Sequence, residues 1–534
     1  MKGQEVDLII HNAQIHTLDL NNTIHDAIAI RNGQIVEVGP ERQILNKYRS
    51  DEIIDAQGKE MYPGFTDAHG HMLMYAKQLL GVDLRGVRSE QELVHRCEQY
   101  KAQHPNLKCV VGQGWDQTLW AGQQMPTNKE LNRLFPDIPV CLYRVDGHAA
   151  LVNDFLLKKS RALDQIKYLK GGEIIFVNSK LEGSKNQKTV FLTREPTGVL
   201  IDNAMNLVQP FIPDFSKADY LKALLQVQDE LLQYGITGVH EAGIDFEHIA
   251  WFKELIDRKK LKINLYAMLM DTPQNRAFVQ KNGRYRFHNL NIRSFKCFAD
   301  GALGSRGALL KAPYHDHPES HGLLLTDVER MRNLAQFCLK HGYQMNTHSI
   351  GDSANALVLS VYEQIYRRKA DHRFRIEHAQ VLDPKDFQKF ANFAVFPSVQ
   401  PTHAVSDADW AEQRLGKARM KGAYAYRTLL QQFGMIALGT DFPVEQTNPF
   451  LTMQAAVHHA TTAESLSLDE VLKGMTIWPA FAAFQEKELG TLEKGKHATF
   501  AIFENPVTAD QGQVQNYAWR TFIKGRCVFK LEAL

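Results

Sequence analysis

Short apolar runs alternate with amphipathic stretches from about residue 64 to 484, and this alternation constrains the fold more than any other feature of the sequence. Helix-like segments such as YLKALLQVQDELLQYG lie between several of the runs. Eight runs resemble buried strands, in the order GFTDAH, ITGVHEAG, INLYAML, SFKCFAD, YQMNTHSI, FRIEHAQV, AVFPSVQ and MIALGTD. Strand followed by helix eight times predicts an α/β fold of the (β/α)8 or TIM-barrel type.

Two regions do not fit this alternation. The stretch from about 85 to 200 contains its own strand-like runs, CVVGQGW and VCLYRVD, and is predicted to be a large insertion after the first barrel strand. Within it, the polar segment 170–187 is predicted to be a hairpin or loop. The two ends of the chain, 1–63 and 485–534, are rich in short strands with turn signals such as Asn32-Gly33. Neither end can bury a sheet face alone, so we expect them to pair into one small composite β-sandwich domain beside the barrel domain, 64–484.

The composition excludes several classes of protein. With 534 residues, 44% of them hydrophobic, and a formal net charge of +2, the chain is expected to be folded and not to bind nucleic acid as its main function. Its six cysteines form no CxxC pair, which favours a reducing compartment over a disulfide framework. The first residues lack the apolar run of a secretory signal, and no run of about 18 apolar residues could span a bilayer. We therefore expect a cytoplasmic protein without a membrane partner.

The candidate functional residues lie where the apolar runs end. The carboxyl ends of the strands form the catalytic face of a (β/α)8 barrel, so polar groups there are interpreted as functional. His69 and His71 in GFTDAHGHM are two residues apart on a strand and point the same way, as two ligands of one metal ion require. Three further candidates end other runs: His348 in MNTHSIGD, His378 in RIEHAQ and Asp441 in IALGTDFP.

Lys296 is a further candidate because it lies inside the apolar run SFKCFAD. A buried lysine must be paired, neutral or chemically modified, since an isolated buried ammonium group costs several kcal/mol. One interpretation is a surface lysine on an edge strand, or a salt bridge with Asp300. Another is an N-carboxylated lysine whose carbamate oxygens bridge two metal ions. Six metal-competent residues at the ends of five strands favour a metal site over a set of unrelated polar residues.

Longer strings in the chain resemble the amidohydrolase superfamily and, within it, the amidohydrolase 3 (YtcJ-like) branch that includes N-substituted formamide deformylases. The resemblance runs from DLIIHNAQI to GTLEKGKHATF. It rests on the strings PGFTDAHGH, GQGWDQTLW, RVDGHAALVN, EPTGVL, YGITGVHEAG, FKCFADGALGSRGA, THSIGDSAN, RIEHAQ and GTDFPVEQTNPF. One departure is Thr499, where the family usually has an acidic residue in a GKxAD string. It lies in the predicted sandwich and affects no catalytic residue.

The resemblance implies a ligand set and a reaction. It implies that His69, His71 and Asp441 hold one metal ion, that His348 and His378 hold another, and that Lys296 as a carbamate bridges them. Imidazole and carboxylate ligands without thiolate suit two Zn²⁺ ions, with Mn²⁺, Fe²⁺ or Ni²⁺ as alternatives. The expected reaction is hydrolysis of a non-peptide carbon–nitrogen bond, N-formyl or N-acyl, in a small molecule by a metal-activated hydroxide. Asp441 is expected to act as general base and then general acid.

Other residues are expected to contact the substrate. Trp115, Asp116 and His148 lie in the insertion, which is well placed to cap the barrel mouth. His148 is expected either to donate to the developing oxyanion or to fix its own loop by bonding Asp146. Asp300 and Arg306, which follow the lysine strand, are expected to brace the carbamate or meet the substrate, although for Arg306 a structural role is favoured.

The remaining polar residues near the strand ends have smaller expected roles. Glu377 is predicted to point away from the face of His378, because neighbouring residues of a strand point to opposite sides. His240 and Glu241 are expected to form hydrogen bonds near the site. The pair His458-His459 is expected to pack or to lie on a helix surface.

Two other functions remain open from the sequence. A deaminase would hold one metal through His69, His71, His348 and Asp441, with His378 touching the substrate, and would have no use for a bridging carbamate on Lys296. A non-catalytic relative serving as a scaffold is the third hypothesis, and the intact ligand set argues against it. The expected partner is a small amide-type substrate, and a homodimer is a further expectation.

Overall fold

The computed structural model describes residues 3–103, 107–180, 192–366, 371–510 and 516–532. A sheet of eight parallel strands is at its centre, and each strand corresponds to one of the eight apolar runs. The barrel strands are β1 (Phe65–Gly70), β2 (Ile236–Ile244), β3 (Asn264–Met270), β4 (Leu290–Phe298), β5 (Gln344–Ser349), β6 (Arg375–His378), β7 (Phe396–Val399) and β8 (Ala437–Leu438). Successive strands are neighbours and run parallel from β1 to β8, and a short strand, Tyr285–Phe287, pairs antiparallel with β4.

The barrel is nearly closed between β8 and β1. The N–H of Asp441 donates to the carbonyl of His69 at 2.7 Å, and the N–H of Thr440 donates to Asp67 Oδ1 at 3.1 Å. These bonds hold the end of the last strand against the end of the first. The predicted (β/α)8 barrel is therefore confirmed, and its closure brings two candidate ligands, His69 and Asp441, together.

Helices pack against the barrel with their apolar faces, and further helices lie in the insertion and in the N-terminal segment. The longest described helix, Lys217–Gln233, begins at Ser216, whose side chain forms a capping box with Asp219, and it buries Leu224 and Leu231. The described α-helices are Glu41–Lys47, Met72–Leu80, Glu90–Gln103, Lys129–Leu134, Asp154–Ser160, Lys217–Gln233, Phe246–Asp257, Pro273–Asn282, Val328–His341, Asp352–Ile365, Phe387–Asn392, Pro401–Ser406, Ala411–Leu415, Tyr426–Phe433, Pro449–Val457, Leu468–Gly474 and Ile477–Ala482. Among the described residues, no helix has the length and apolar character that crossing a bilayer requires.

The insertion after β1 folds around a sheet of its own. Its strands, in spatial order, are Val82–Asp83, Val110–Trp115, Val140–Arg144, Ala149–Val152, Leu192–Asp202 and Gly172–Lys180. Trp115, Leu142 and Val199 lie in the apolar core of this sheet. Gly172–Lys180 pairs antiparallel with Leu192–Asp202, as a hairpin would, and residues 181–187 of the predicted hairpin lie outside the described residues.

Strands from both ends of the chain share one sheet. Phe500–Phe503 pairs antiparallel with Glu60–Pro63, so the C-terminal segment completes a sheet that the N-terminal segment begins. The six-stranded sheet has the order Arg526–Lys530, Ala518–Ile523, Phe500–Phe503, Glu60–Pro63, Gln14–His16 and Ile24–His25. A four-stranded sheet has the order Gln34–Gly39, Ala27–Arg31, Leu8–His11 and Ile53–Asp55, and Gln4–Glu5 pairs with Tyr48–Arg49. Side chains of the six-stranded and four-stranded sheets pack in one core, which includes Ile10, Ile28 and Phe500. The division into domains at residues 63 and 485 stays a prediction.

Candidate metal centre

The ends of β1 and β8 bring three candidate ligands together. His71 Nε2 lies 3.0 Å from Asp441 Oδ1, and His69 Nε2 lies 3.5 Å from the same oxygen. One ligand atom from each of the three residues can be chosen so that all lie within 4.8 Å of one another. Two imidazoles and a carboxylate at this spacing suit a divalent transition metal.

Lys296 lies beside this group. It is buried on β4, with only 1% of its surface exposed, and its Nζ is 3.0 Å from His69 Nε2. Burial lowers the pKa of Lys296 to about 8. The surface-lysine interpretation is therefore wrong for Lys296, because the side chain points into the barrel among the candidate ligands.

His348 and His378, at the ends of β5 and β6, lie next to these residues. Their ring centroids are 4.5 Å apart, and the ring of His378 is 4.9 Å from that of His69. All six residues singled out from the strand ends are thus close together, and five of them line one cavity, His71, Lys296, His348, His378 and Asp441, while His69 is fully buried behind them.

His403 is a polar residue of this site that the sequence analysis missed. It lies in the short helix Pro401–Ser406 just after β7, and its Nε2 is 3.8 Å from Asp441 Oδ2. In the described part of the chain, His378, His403 and Asp441 form a second group whose ligand atoms lie within 4.8 Å of one another. The available signal was the string PTHAV, which directly follows the seventh apolar run and so falls on the catalytic face.

Glu377 also contacts the site, contrary to the expectation that it would point away. Its Oε2 lies 2.5 Å from Nδ1 of His69, and both side chains are fully buried. The expectation assumed regular strand geometry through His378. His378 instead has φ of 74°, in the left-handed region, so it leaves the alternation of β6 and both neighbouring side chains reach the centre.

The charge states of the site suit metal binding. Burial raises the pKa of Asp441, but the neighbouring imidazoles of His69 and His71 outweigh it and hold this pKa well below its usual range. Burial and the nearby Lys296 lower the pKa of His69 to about 4, which leaves the imidazole neutral. An ionised carboxylate and neutral imidazoles are the forms that bind metals.

Unpaired buried nitrogens provide a direct test of whether a metal fits. Within the described residues, Nε2 of His348, Nδ1 of His378 and Nε2 of His403 are buried and lack a hydrogen-bond partner. A buried polar atom without a partner costs about 1–3 kcal/mol, so three such nitrogens in one place favour a bound group that pairs with them. The donor set, which is imidazole and carboxylate without thiolate, therefore fits a divalent cation.

A cavity of about 1180 Å³ opens above these residues. Its wall comes partly from the barrel, through Trp410 and Glu445, and partly from the insertion, through Asp116 and His148. The insertion thus contributes to the wall of the cavity, as its position after β1 suggested. A cavity of this volume accommodates a small molecule.

His148 faces this cavity. Its Nδ1 lies 2.7 Å from Asp202 Oδ1, and its ring centroid is 5.1 Å from that of His348. Its backbone N–H, and not its imidazole, donates to Asp146 at 3.0 Å. The imidazole is thus held from one side by Asp202.

Three residues expected to contact the substrate do not line the cavity, although Asp300 Oδ1 lies 3.9 Å from Nε2 of the candidate ligand His348. Trp115 is fully buried in the core of the insertion, and its indole N–H donates to the carbonyl of Leu142 at 2.7 Å. Arg306 pairs with Asp316 at 2.9 Å, in line with a structural role. Asp300 is also fully buried, and it accepts the backbone N–H groups of Leu309, Ile350 and Gly351 at 2.8–2.9 Å. Asp300 therefore braces the loops after β4 and β5.

The other polar residues lie near the positions that the sequence suggested. Asp116 lines the cavity and pairs with Arg144 at 2.6 Å. His240 Nδ1 lies 2.8 Å from the guanidinium of Arg375, beneath the site. Glu241 accepts the N–H of Met72 at 2.6 Å, at the start of the helix that follows His71.

Comparison with known proteins identifies relatives along nearly the whole chain. A family model described as "Amidohydrolase family" matches residues 52–529. The protein LONG AFTER FAR-RED 3 of Arabidopsis thaliana is 33% identical, over 94% of this chain and 87% of that protein. The putative amidohydrolase YtcJ of Bacillus subtilis is 28% identical, over 98% and 99% of the two chains. The N-substituted formamide deformylase of Arthrobacter pascens is 25% identical, over 97% of each.

A solved structure agrees with the fold. An uncharacterized metal-dependent hydrolase from Pyrococcus horikoshii superposes with a TM-score of 0.74 at 27% sequence identity, covering 93% of this chain and 97% of that one. The sequence resemblance and the predicted fold class are both confirmed.

Proposed function

We propose a function for this chain on the basis that it belongs to the amidohydrolase family. The proposal is a binuclear metal hydrolase that cleaves a carbon–nitrogen bond other than a peptide bond in a small N-formyl or N-acyl compound. The observation that carries it is the group formed by His69, His71 and Asp441, with Lys296 at 3.0 Å from His69, beside a cavity of about 1180 Å³. The similarity to the N-substituted formamide deformylase of Arthrobacter pascens supports the choice of an N-formyl bond.

The proposed centre uses the residues that converge from the strand ends. His69, His71 and Asp441 would hold one divalent cation and His348 and His378 a second, with Lys296 between them as a carbamate. Burial favours this modification, because a lysine with a pKa of about 8 has more of the neutral amine that reacts with carbon dioxide. Zn²⁺ is the first candidate, and Mn²⁺, Fe²⁺ and Ni²⁺ are alternatives. Divalent cations bound there would polarise the substrate carbonyl and lower the pKa of a water molecule.

The protein's own groups would move the protons. Asp441 is ionised, so it can accept a proton from the attacking water and then deliver it to the leaving nitrogen. An amide needs this second step, because its amine leaves poorly without a proton. His148, held at Nδ1 by Asp202, would direct its other ring nitrogen to the carbonyl oxygen as charge develops there.

Two measurements test the proposal. Elemental analysis of protein purified without chelator should give about two divalent metals per chain. The zinc-loaded protein should hydrolyse at least one compound in a panel of N-formyl amines and N-acyl amino acids, and Asp441→Asn should remove that activity while retaining the fold. One metal per chain with ammonia release from amino-purines would indicate the deaminase, and metal-free protein without turnover would indicate a scaffold.

A further inference from the structure

A carboxylate beneath the candidate centre contacts one of its ligands directly. Glu377 Oε2 and His69 Nδ1 are 2.5 Å apart, and both side chains have 0% of their surface exposed. The other ring nitrogen of His69, Nε2, lies 3.0 Å from Lys296 Nζ and 3.5 Å from Asp441 Oδ1. The imidazole thus spans the distance between Glu377 and the candidate metal ligands.

Arg375 holds this carboxylate in place. Its guanidinium donates to Glu377 Oε2 at 2.9 Å, to the carbonyl of Ala68 at 2.8 Å and to Ser398 Oγ at 2.8 Å, and it lies 2.8 Å from His240 Nδ1. Arg375 is itself fully buried. Its partners lie on β1, β2, β6 and β7, so the position of Glu377 is tied to four strands of the barrel.

We propose that Glu377 is a positioning residue for metal binding: it accepts the Nδ1 proton of His69 and thereby directs the Nε2 lone pair into the metal centre. A neutral imidazole carries one proton, and a carboxylate at Nδ1 determines which nitrogen carries it. Such a partner also fixes the plane of the ring and makes the free nitrogen a better donor to the metal. The proposal rests on the proposed metal function.

A purely structural ion pair does not account for this arrangement. Arg375 and Glu377 satisfy each other's charge, and a buried pair of that kind can often be replaced by apolar residues without loss of stability. The contact with His69 adds a third member, which links the pair to a candidate ligand. A structural role would affect folding, whereas a positioning role affects the affinity for the metal.

The test measures Zn²⁺ binding to full-length protein by competition with a chromophoric chelator. Glu377→Gln removes the charge that faces His69, and Glu377→Asp keeps the charge opposite Arg375 but withdraws the carboxylate from the ring. Glu230→Gln is the matched control. Glu230 accepts hydrogen bonds from Tyr75 at 2.7 Å and from Thr447 at 2.5 Å, and neither partner is a candidate ligand. Thermal unfolding of the metal-free proteins checks the fold of each variant.

We expect both Glu377 variants to bind Zn²⁺ about 10–100-fold more weakly than wild type, and the control to bind within about 2-fold of it. The visible spectrum of the Co²⁺-loaded Glu377 variants should change as well, since it reports ligand geometry. If Glu377→Gln does not fold, the Zn²⁺ affinity and the Co²⁺ spectrum of Glu377→Asp test the proposal alone. Wild-type affinity and spectrum in a folded Glu377→Asp would overturn the proposal while the metal function stands. A wild-type protein that binds no metal would overturn both.

Discussion

Replacing Gly439 by alanine tests whether the closure of the barrel assembles the metal centre. Gly439 follows β8 and is buried, and its φ is not positive, so alanine is compatible with its backbone. A Cβ at this position would lie 2.5 Å from the backbone nitrogen of His69 and 2.8 Å from Asp67 Oδ1. Ordinary contact begins near 3.4 Å, so the end of β8 must move away from β1 by about 0.9 Å.

That movement stretches the bonds that close the barrel. The hydrogen bond from Asp441 N–H to the His69 carbonyl is 2.7 Å long, and the one from Thr440 N–H to Asp67 is 3.1 Å, so an added 0.9 Å would break or severely weaken both. Losing two such bonds costs about 2 kcal/mol, and overpacking adds about 1–3 kcal/mol. We therefore expect Gly439→Ala to lower the free energy of unfolding by about 3–5 kcal/mol.

Urea unfolding followed by tryptophan fluorescence measures this change, and Zn²⁺ affinity should fall with it, because Asp441 moves relative to His69 and His71. Gly39→Ala is the matched control: Gly39 is also buried, but its added Cβ would meet its nearest atom at 3.9 Å. The control should stay within about 0.5 kcal/mol of wild type. If Gly439→Ala unfolds like the control and binds Zn²⁺ like wild type, the closure contacts do not assemble the centre.

Three further predictions concern single side chains. Lys296→Ala should lose activity and the second metal by elemental analysis, with partial rescue by formate; wild-type metal content would remove the carbamate from the mechanism. Trp115→Phe should lower the free energy of unfolding by about 1–2 kcal/mol, because the hydrogen bond to the carbonyl of Leu142 is lost, and it should leave kcat unchanged. A fall in kcat at unchanged stability would instead place Trp115 at the substrate. His403→Asn should lower kcat about 10-fold or more, since His403 lines the cavity near Asp441, whereas His458→Asn should leave it unchanged.

The strand ends were predictable from the sequence because parallel strands bring their carboxyl ends to one edge. His69, Lys296, His348, His378 and Asp441 each end or lie within an apolar run, and runs of that kind have few ways to be buried other than as barrel strands. The order of these residues along the chain was therefore enough to predict that they meet. No distance between them was needed.

The role of Trp115 was not predictable in the same way. Trp115 and Asp116 are adjacent in the sequence, yet one packs in the core of the insertion and the other lines the cavity. Which of two neighbours faces the core depends on how the sheet of the insertion packs, and that is a tertiary property. The sequence motif around a tryptophan therefore predicts that the segment lies near the barrel mouth, but it does not predict which side of the strand the tryptophan occupies.

The backbone at the strand ends explains why residues near the centre escape simple periodicity. Asp441 has φ of 63°, His378 has φ of 74° and Asp202 has φ of 48°, and each side chain faces the cavity. Left-handed backbone at a non-glycine residue costs of order 1–3 kcal/mol and persists only where surrounding contacts enforce it. Here the contacts are specific: Asp441 N–H bonds to His69, and Asp202 N–H donates to the carbonyl of His148 at 2.9 Å. A regular strand would send consecutive side chains to opposite faces, so Glu377 and His378 could not both reach the centre. Because the backbone at His378 is left-handed, two adjacent residues supply different groups to the centre. One is a ligand, and the other is the carboxylate that positions another ligand.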